Sequence, residues 1–458
     1  MTIPDTGAPY DDDAHVHLGV FYPGIGPQTV WEDPKAADQV SADTFLHVAH
    51  TLERGLFDAF FLGDGQRVRE NRGAVLSTDI AGRPDAITQL SALAGATSRI
   101  GLVATQNTTY SLPIDLARRL ASLDILSDGR AGWNIVTTDN AWTGENFRVG
   151  GWLEHERRYE RATHVVEVAK EYWSAWSQSD VATSSDAPNW LSAPGPAVVE
   201  RDSDLLKARA IPTVPSSRQG RPVLFQAGDS AGGRDLAARH ADVVFSANHE
   251  FDAAVAYARD LRTRLAAYGR SPDSLRILPG VTVIIGDTEK DAQEKATWLR
   301  ESAYNPQRSI AFLEHYWGQD LSAYDPDGPL PDIEPVDGEL DPSRGTLSIA
   351  DRTGKLDQIA RWRALAAEKN LSIRQLVLEV VPSSRYQAGT ASSIADQWAY
   401  WVRHRVVDGF NVNPYHLLDS VNDLVDKLVP ALQERGVYRT EYTASTLREH
   451  LNLPSVAR

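Results

Sequence analysis

Short apolar runs recur along this chain, each followed by a helical segment, and that alternation limits the folds open to it more than any other feature. Residues 15–21 alternate like a strand and end at the breakers Gly24, Gly26 and Pro27. Residues 57–62 are nearly all apolar, as in a strand covered on both faces within a parallel sheet. The same reasoning predicts strands over 100–105, 130–137, 222–227, 242–247, 276–285 and 409–412. Helical spacing falls over 41–54, 84–97, 112–126, 152–176, from 230, over 251–268 and over 417–433. Alternating β and α elements build a parallel sheet with right-handed crossovers, and eight such units close a (β/α)8 TIM barrel. A doubly wound open sheet is the alternative. Two stretches interrupt the repeat, 177–221, rich in Ser, Asp, Ala and Pro, and 318–350, rich in Pro, Gly and Asp. They read as insertions within a single domain covering residues 1–458, and the residues beyond 433 read as a polar tail.

Charge and composition narrow the function. A net charge of -16 repels phosphate backbones and anionic lipid, so neither nucleic acid nor a membrane surface is expected as a partner. The chain has no cysteine, which removes disulfides, thiolate metal sites and a Cys nucleophile together. Neither a signal-like start nor an apolar run of about 20 residues is present, and a cytoplasmic location is expected.

In a barrel, chemistry gathers where strands end and enter their loops. Those positions hold Gly63 and Asp64 after the second strand, Thr105 and Asn107 at the third, Asn134 and Thr138 at the fourth, and Gly228 and Ser230 after the fifth. Asp64 is open to three readings, as a general base, an ion-pair partner or a loop cap. The set lacks the spacing of a metal site, and no metal is expected. Residues 226–234, QAGDSAGGR, place three glycines and a serine where backbone N–H groups could approach an anion at a helix start, or simply form a capped turn. Asp229 within that run would have to point away from such an anion. Arg157, Arg158, Tyr159 and Arg161 could line an anion site or form an ordinary solvated helix face, and Trp133 could meet a planar ligand or sit in the core. Neither a GxSxG elbow nor a dinucleotide-binding fingerprint occurs.

The run RRLASLDILSDGRAGWNIVTT, continued by ENF and RYERA, resembles the bacterial luciferase-like flavin-dependent monooxygenases, in the branch of nitrilotriacetate monooxygenase component A, the pristinamycin synthase large subunit and dibenzothiophene sulfone monooxygenase. FDAFFLGDG, GLVATQNTTY, QAGDSAGGRDLAARHADVVF, GTASSIADQW and DGFNV carry the likeness along almost the whole chain. The resemblance implies a TIM barrel that binds reduced FMN (FMNH2) without a covalent bond. It implies O2 as co-substrate, a separate NAD(P)H-dependent flavin reductase as partner, and insertion of one oxygen atom into a small organic substrate through a flavin C4a-peroxide. Carried over position by position, Gly63, Asp64, Thr105, Asn107 and Asn134 would meet the flavin ring, while Thr138, Tyr159, Gly228 and Ser230 would hold its ribityl phosphate. Asn107 stands where the family often has Ser, and Thr138 where some members have His. By family position His17 and His315 are the catalytic candidates. A homodimer or homotetramer is expected by analogy. Alternatives are an F420-dependent oxidoreductase of the same superfamily and a barrel hydrolase using Asp64.

Overall fold

The computed structural model describes residues 6–22, 39–68, 70–71, 74–75, 84–138, 141–147, 153–181, 189–191, 195–336, 354–381 and 386–456. Its main sheet has ten strands: β1 (His17–Tyr22), β2 (Ala59–Leu62), β3 (Gly101–Asn107), β4 (Ala131–Val136), β5 (Val223–Ala227), β6 (Val243–Phe245), β7 (Arg276–Ile277), β8 (Gly280–Ile285), β9 (Tyr386–Gly389) and β10 (Gly409–Val412). They lie in the order β7-β6-β5-β4-β3-β2-β1-β10-β8-β9, and the pairings are parallel. Apolar runs such as AFFL in β2 and GLVATQN in β3 are buried throughout, as two covered faces require.

The sheet curls. Its inner face gathers Phe61, Val103, Phe225 and Phe245, with Phe61 stacked on Phe245 at 4.8 Å between ring centres. Its outer face packs Leu102, Trp133 and Ile135 against helices α1 (Ala42–Arg54), α2 (Ala86–Ala94), α3 (Pro113–Leu126) and α4 (His155–Ser174). The predicted strand 276–285 is split, because Pro279 has no N–H to give a ladder. Residues 278 and 280 donate to Val244 and Ser246 on one side, while Asp408, Asn411 and Asn413 donate to Ile277, Pro279 and Val281 on the other.

Strand β9 was not foreseen. It pairs with the upper half of β8, Thr282 facing Tyr386 and Ile285 facing Gly389, and returns the chain from the second insertion. The helices that flank that insertion, Pro306–Trp317, Lys355–Lys369 and Ile373–Val380, share a core of their own, in which Trp317, Ile359, Trp362, Ile373 and Leu376 meet. Local chemistry sets its boundaries: Asn305 caps the helix Pro306–Trp317, Gly318 ends it at φ 69°, and Ser372 with Gln375 forms a capping box on Ile373–Val380. Residues 337–350 of the predicted insertion lie outside the described residues. The first insertion, which showed no periodicity, contains an antiparallel hairpin, Val199–Asp202 with Lys207–Ala210. The residues after 433 are not a loose tail: Leu447 and Leu451 are fully buried against the inner face, and a Cβ on Gly101 would strike Leu447 at 2.4 Å.

At the amino ends of the strands one device recurs. Asp58, Asp242 and Asp408 each stand immediately before a strand and accept a backbone N–H from its neighbour, Leu18 at 2.7 Å, Leu224 at 2.9 Å and Ile277 at 2.9 Å. Arginines pair with each: Arg439 with Asp58, Arg221 and Arg448 with Asp242, and Arg276 with Asp408 at 3.6 Å. Burial alone would raise these carboxyls, but the guanidiniums and N–H groups outweigh it, bringing Asp58 down to about 2 and holding Asp242 and Asp408 below the usual carboxylate range.

The folded-state values lie below the unfolded ones, so this stabilisation is complete above about pH 4 and disappears as pH falls through the folded values, with Asp58 alone contributing about 2 kcal/mol. Chemical denaturation from pH 7 to pH 2 should therefore show stability falling mainly below about pH 4. Asp58→Asn should be less stable at pH 7 by about 3 kcal/mol and show a shallower fall in that acid window.

Candidate active site

Strands β5, β4, β3 and β2 are consecutive neighbours, so their carboxyl ends form one continuous ledge. Thr105 stands in register with Asn134 and Asn107 with Val136, and Thr105, Asn107 and Asn134 are all buried. Asn134 Nδ2 donates to Thr105 Oγ1 at 3.0 Å, while its Oδ1 is buried without a hydrogen-bond partner. An acceptor left in that state costs roughly 1–3 kcal/mol, which a donor on a bound ligand would recover. Asn107 works on the loops instead: its Oδ1 accepts from the N–H of Thr109 at 2.6 Å and of Tyr110 at 3.1 Å, and its Nδ2 donates to Thr138 Oγ1. Thr138 N–H in turn donates to Thr109 Oγ1 at 3.1 Å. Gly63 is buried at the end of β2, hydrogen-bonded through its N–H to Tyr22 O. Asp64 accepts from Ala86 N–H and Gln106 Nε2, each at 3.3 Å, the pattern of a loop cap at the start of α2.

Beyond β5 the turn enters α5 (Ala231–His240), where Ser230 caps the helix by accepting from Gly233 N–H at 3.1 Å. The backbone closes tightly there. A Cβ on Gly233 would lie 3.0 Å from Gly228 O, and one on Gly228 would lie 2.9 Å from Gln226 Nε2. Tyr159, reaching from α4, brings its hydroxyl to 3.3 Å from Ser230 Oγ. Asp229 turns aside, as an anion here would require, and accepts from Ala247 N–H at 2.9 Å. The helix start thus offers N–H groups, a hydroxyl pair and the positive end of a helix dipole, with the carboxylate withdrawn. Over the ledge, the loops are tied together. Tyr110 stacks flat on Phe147 at 5.3 Å, Asn146 donates to Gln66 O at 2.6 Å, and Arg67 pairs with Glu145.

The structure decides several readings that the sequence left open, and it moves His17. His17 opens β1, at the end opposite the ledge, where it is buried with its Nδ1 3.4 Å from Asp58 Oδ1. It belongs to the structural carboxylate device, not to the strand-end site. Arg161 lines no anion site; its guanidinium is buried and donates to the carbonyls of Thr108, Thr109, Ser111 and Leu205. Arg157 pairs with Asp204 at the surface, and Trp133 is core, edge-on to Trp173. His315 lies half-buried on Pro306–Trp317, edge-on to Tyr316. Sequence reasoning missed Thr109, which links two of the loops, and Asn411, whose buried Oδ1 has no partner and needs the missing Cβ of Gly19 to fit. A polar residue inside the apolar run of β10 was the available signal. Among the described residues no group of His, Asp and Glu side chains could hold a metal ion, and no helix is long and apolar enough to cross a membrane.

Residues 25–328 match the family model described as luciferase-like monooxygenase, and the chain belongs to that family. Its activity class is that of a flavin-dependent monooxygenase. It is 36% identical over 450 residues to N-acetyl-S-(2-succino)cysteine monooxygenase of Bacillus subtilis (strain 168), covering 96% of each chain. It is 36% identical to nitrilotriacetate monooxygenase component A of Aminobacter aminovorans, covering 95% of this chain and 94% of the relative. The solved structure of DmoA from Hyphomicrobium sulfonivorans superposes with a TM-score of 0.78 at 27% identity, covering 95% of this chain and 92% of that one.

If Arg161 is an anchor, Arg161→Gln should lower stability by about 2–4 kcal/mol, since several buried carbonyls lose their donor. Urea unfolding measures this; a variant as stable as the parent would return Arg161 to the ligand side of the ledge.

Proposed function

We propose that this chain is the oxygenase component of a two-component monooxygenase, binding reduced FMN supplied by a separate NAD(P)H-dependent flavin reductase and oxygenating a small organic molecule. Bound reduced FMN supplies the electrons that split O2, one atom entering the substrate and the other leaving as water. The observation that carries the reading is the ledge itself, with a buried, unpartnered Asn134 Oδ1 and a glycine-lined helix start at Ser230 on neighbouring strands. Those residues fit the cofactor's two ends. Asn134, with Thr105 and Gly63 beside it, would take the edge of the ring, whose N–H groups match an acceptor without a donor. Gly228, Ser230 and Tyr159 would take the phosphate. Asp64, Asn107 and Thr138 hold the loops that frame both, and the Tyr110–Phe147 stack would help keep water from the ring. His315 is the candidate for moving a proton on the substrate side.

The bonds that segment 276–281 makes to β6 on one edge and β10 on the other support a closed (β/α)8 barrel, and with it a single domain interrupted by two insertions. A soluble cytoplasmic homo-oligomer completes the proposal.

Anaerobic titration of the purified protein with reduced FMN, and separately with reduced F420, tests the cofactor. FMN should saturate and F420 should not; if reduced FMN fails to bind, the proposal fails. Ser230→Ala and Gly233→Ala should each weaken reduced-FMN affinity by about tenfold, the first by losing a hydroxyl and the second by forcing the turn open. Their melting temperatures should stay near the parent's. His315→Ala should lower kcat while leaving flavin affinity unchanged, and a change in affinity alone would remove it from proton transfer.

A further inference from the structure

Where β9 joins β8, a cavity of about 330 Å³ opens on the outer side of the sheet, at the small end of the range of about 300–1,000 Å³ typical of organic-ligand sites. Its walls are aromatic: Trp398 and Trp401 come from the helix Ala391–Arg403, Phe410 from the outer face of β10, and Tyr386 from β9. These walls are fixed before any ligand arrives. Trp398 stacks on Phe410 at 3.9 Å with 14° between the rings, and Trp401 meets Phe251 edge-on at 5.5 Å. Gln387 is spent on the wall itself, since its Oε1 accepts from Trp398 Nε1 at 2.7 Å and its Nε2 donates to Gln397.

Among the described lining residues Glu250 is the one carboxylate, and His249, Asn248 and Gln397 line the cavity with it. Glu250 lines it, is exposed, and precedes the helix Phe251–Ala267 without capping any of its N–H groups. No Lys or Arg is among the described lining residues. Aromatic walls beside an exposed carboxylate, with no Lys or Arg among the described lining residues, attract an organic ammonium ion through the ring quadrupoles and the charge together. The chain's net charge of -16 adds a field of the same sense.

We propose that this cavity binds a small organic ammonium compound, a tertiary or quaternary amine whose alkyl groups lie against Trp401 and Phe410 and whose charge faces Glu250. None of the ledge residues assigned to the flavin lines it, so the proposal does not rest on the flavin reading. The test titrates the full chain, without flavin, with choline and with its uncharged isostere in which carbon replaces the quaternary nitrogen, following binding by calorimetry. Choline should saturate and bind about tenfold tighter than the isostere, and Glu250→Gln should bring the two to within about threefold. Trp401→Leu should weaken choline by a similar factor, read only if its melting curve stays cooperative. A preference for choline below about threefold, a preference that Glu250→Gln leaves intact, or no saturation at all would overturn the assignment.

Discussion

Parallel pairing gives the central strands of this protein one shared direction, and most of the molecule follows from that. Carbonyl-side ends collect on one side and amide-side ends on the other, so the two rims meet different problems. At the amide-side rim, backbone N–H groups reach the strand edges with no further strand to accept them. Asp58, Asp242 and Asp408 solve this in the same way, each placed one residue before its own strand and bonded to the next. The buried charge this creates is matched by arginines drawn from distant parts of the chain, Arg439 and Arg448 among them. The opposite rim is left with short polar side chains and glycines, free to serve a ligand.

The repeat was legible because burial on both faces forces continuous apolar runs, and the runs at β2, β3 and β5 are long enough to stand out. The strand-end positions were legible for the same reason, since a barrel rule converts strand ends into a site. Gly63, Thr105, Asn134, Gly228 and Ser230 lie near or just past the carboxyl ends of neighbouring strands. Distances between side chains were not legible. Nothing in the spacing of Arg157, Arg158 and Arg161 tells which guanidinium turns inward, and that depended on where the carbonyls of Thr108 to Ser111 came to rest.

His17 was misplaced by a family position that ignored strand polarity, although its position at the opening of an apolar run already put it at the wrong rim. The recurrence of Asp just before an apolar run, in FDAFF, ADVVF and VDGFNV, was equally visible. Strand β9 and the packed carboxyl-terminal segment escaped for a different reason: each is short, and each is held by contacts distant in sequence, which periodicity does not report.

The pairing of β1 with β10 brings His17 opposite Gly409, and Leu447 and Leu451 then fill the inner face from the very end of the chain. During synthesis the first strand therefore emerges long before its neighbour exists, with one edge unpaired and the inner aromatic face uncovered. The helices flanking the second insertion, whose contacts are local, can settle early, but the inner face of the sheet closes only once Leu447 and Leu451 are in place. Without Leu447 and Leu451 the Phe61 and Phe245 face would stand open to water.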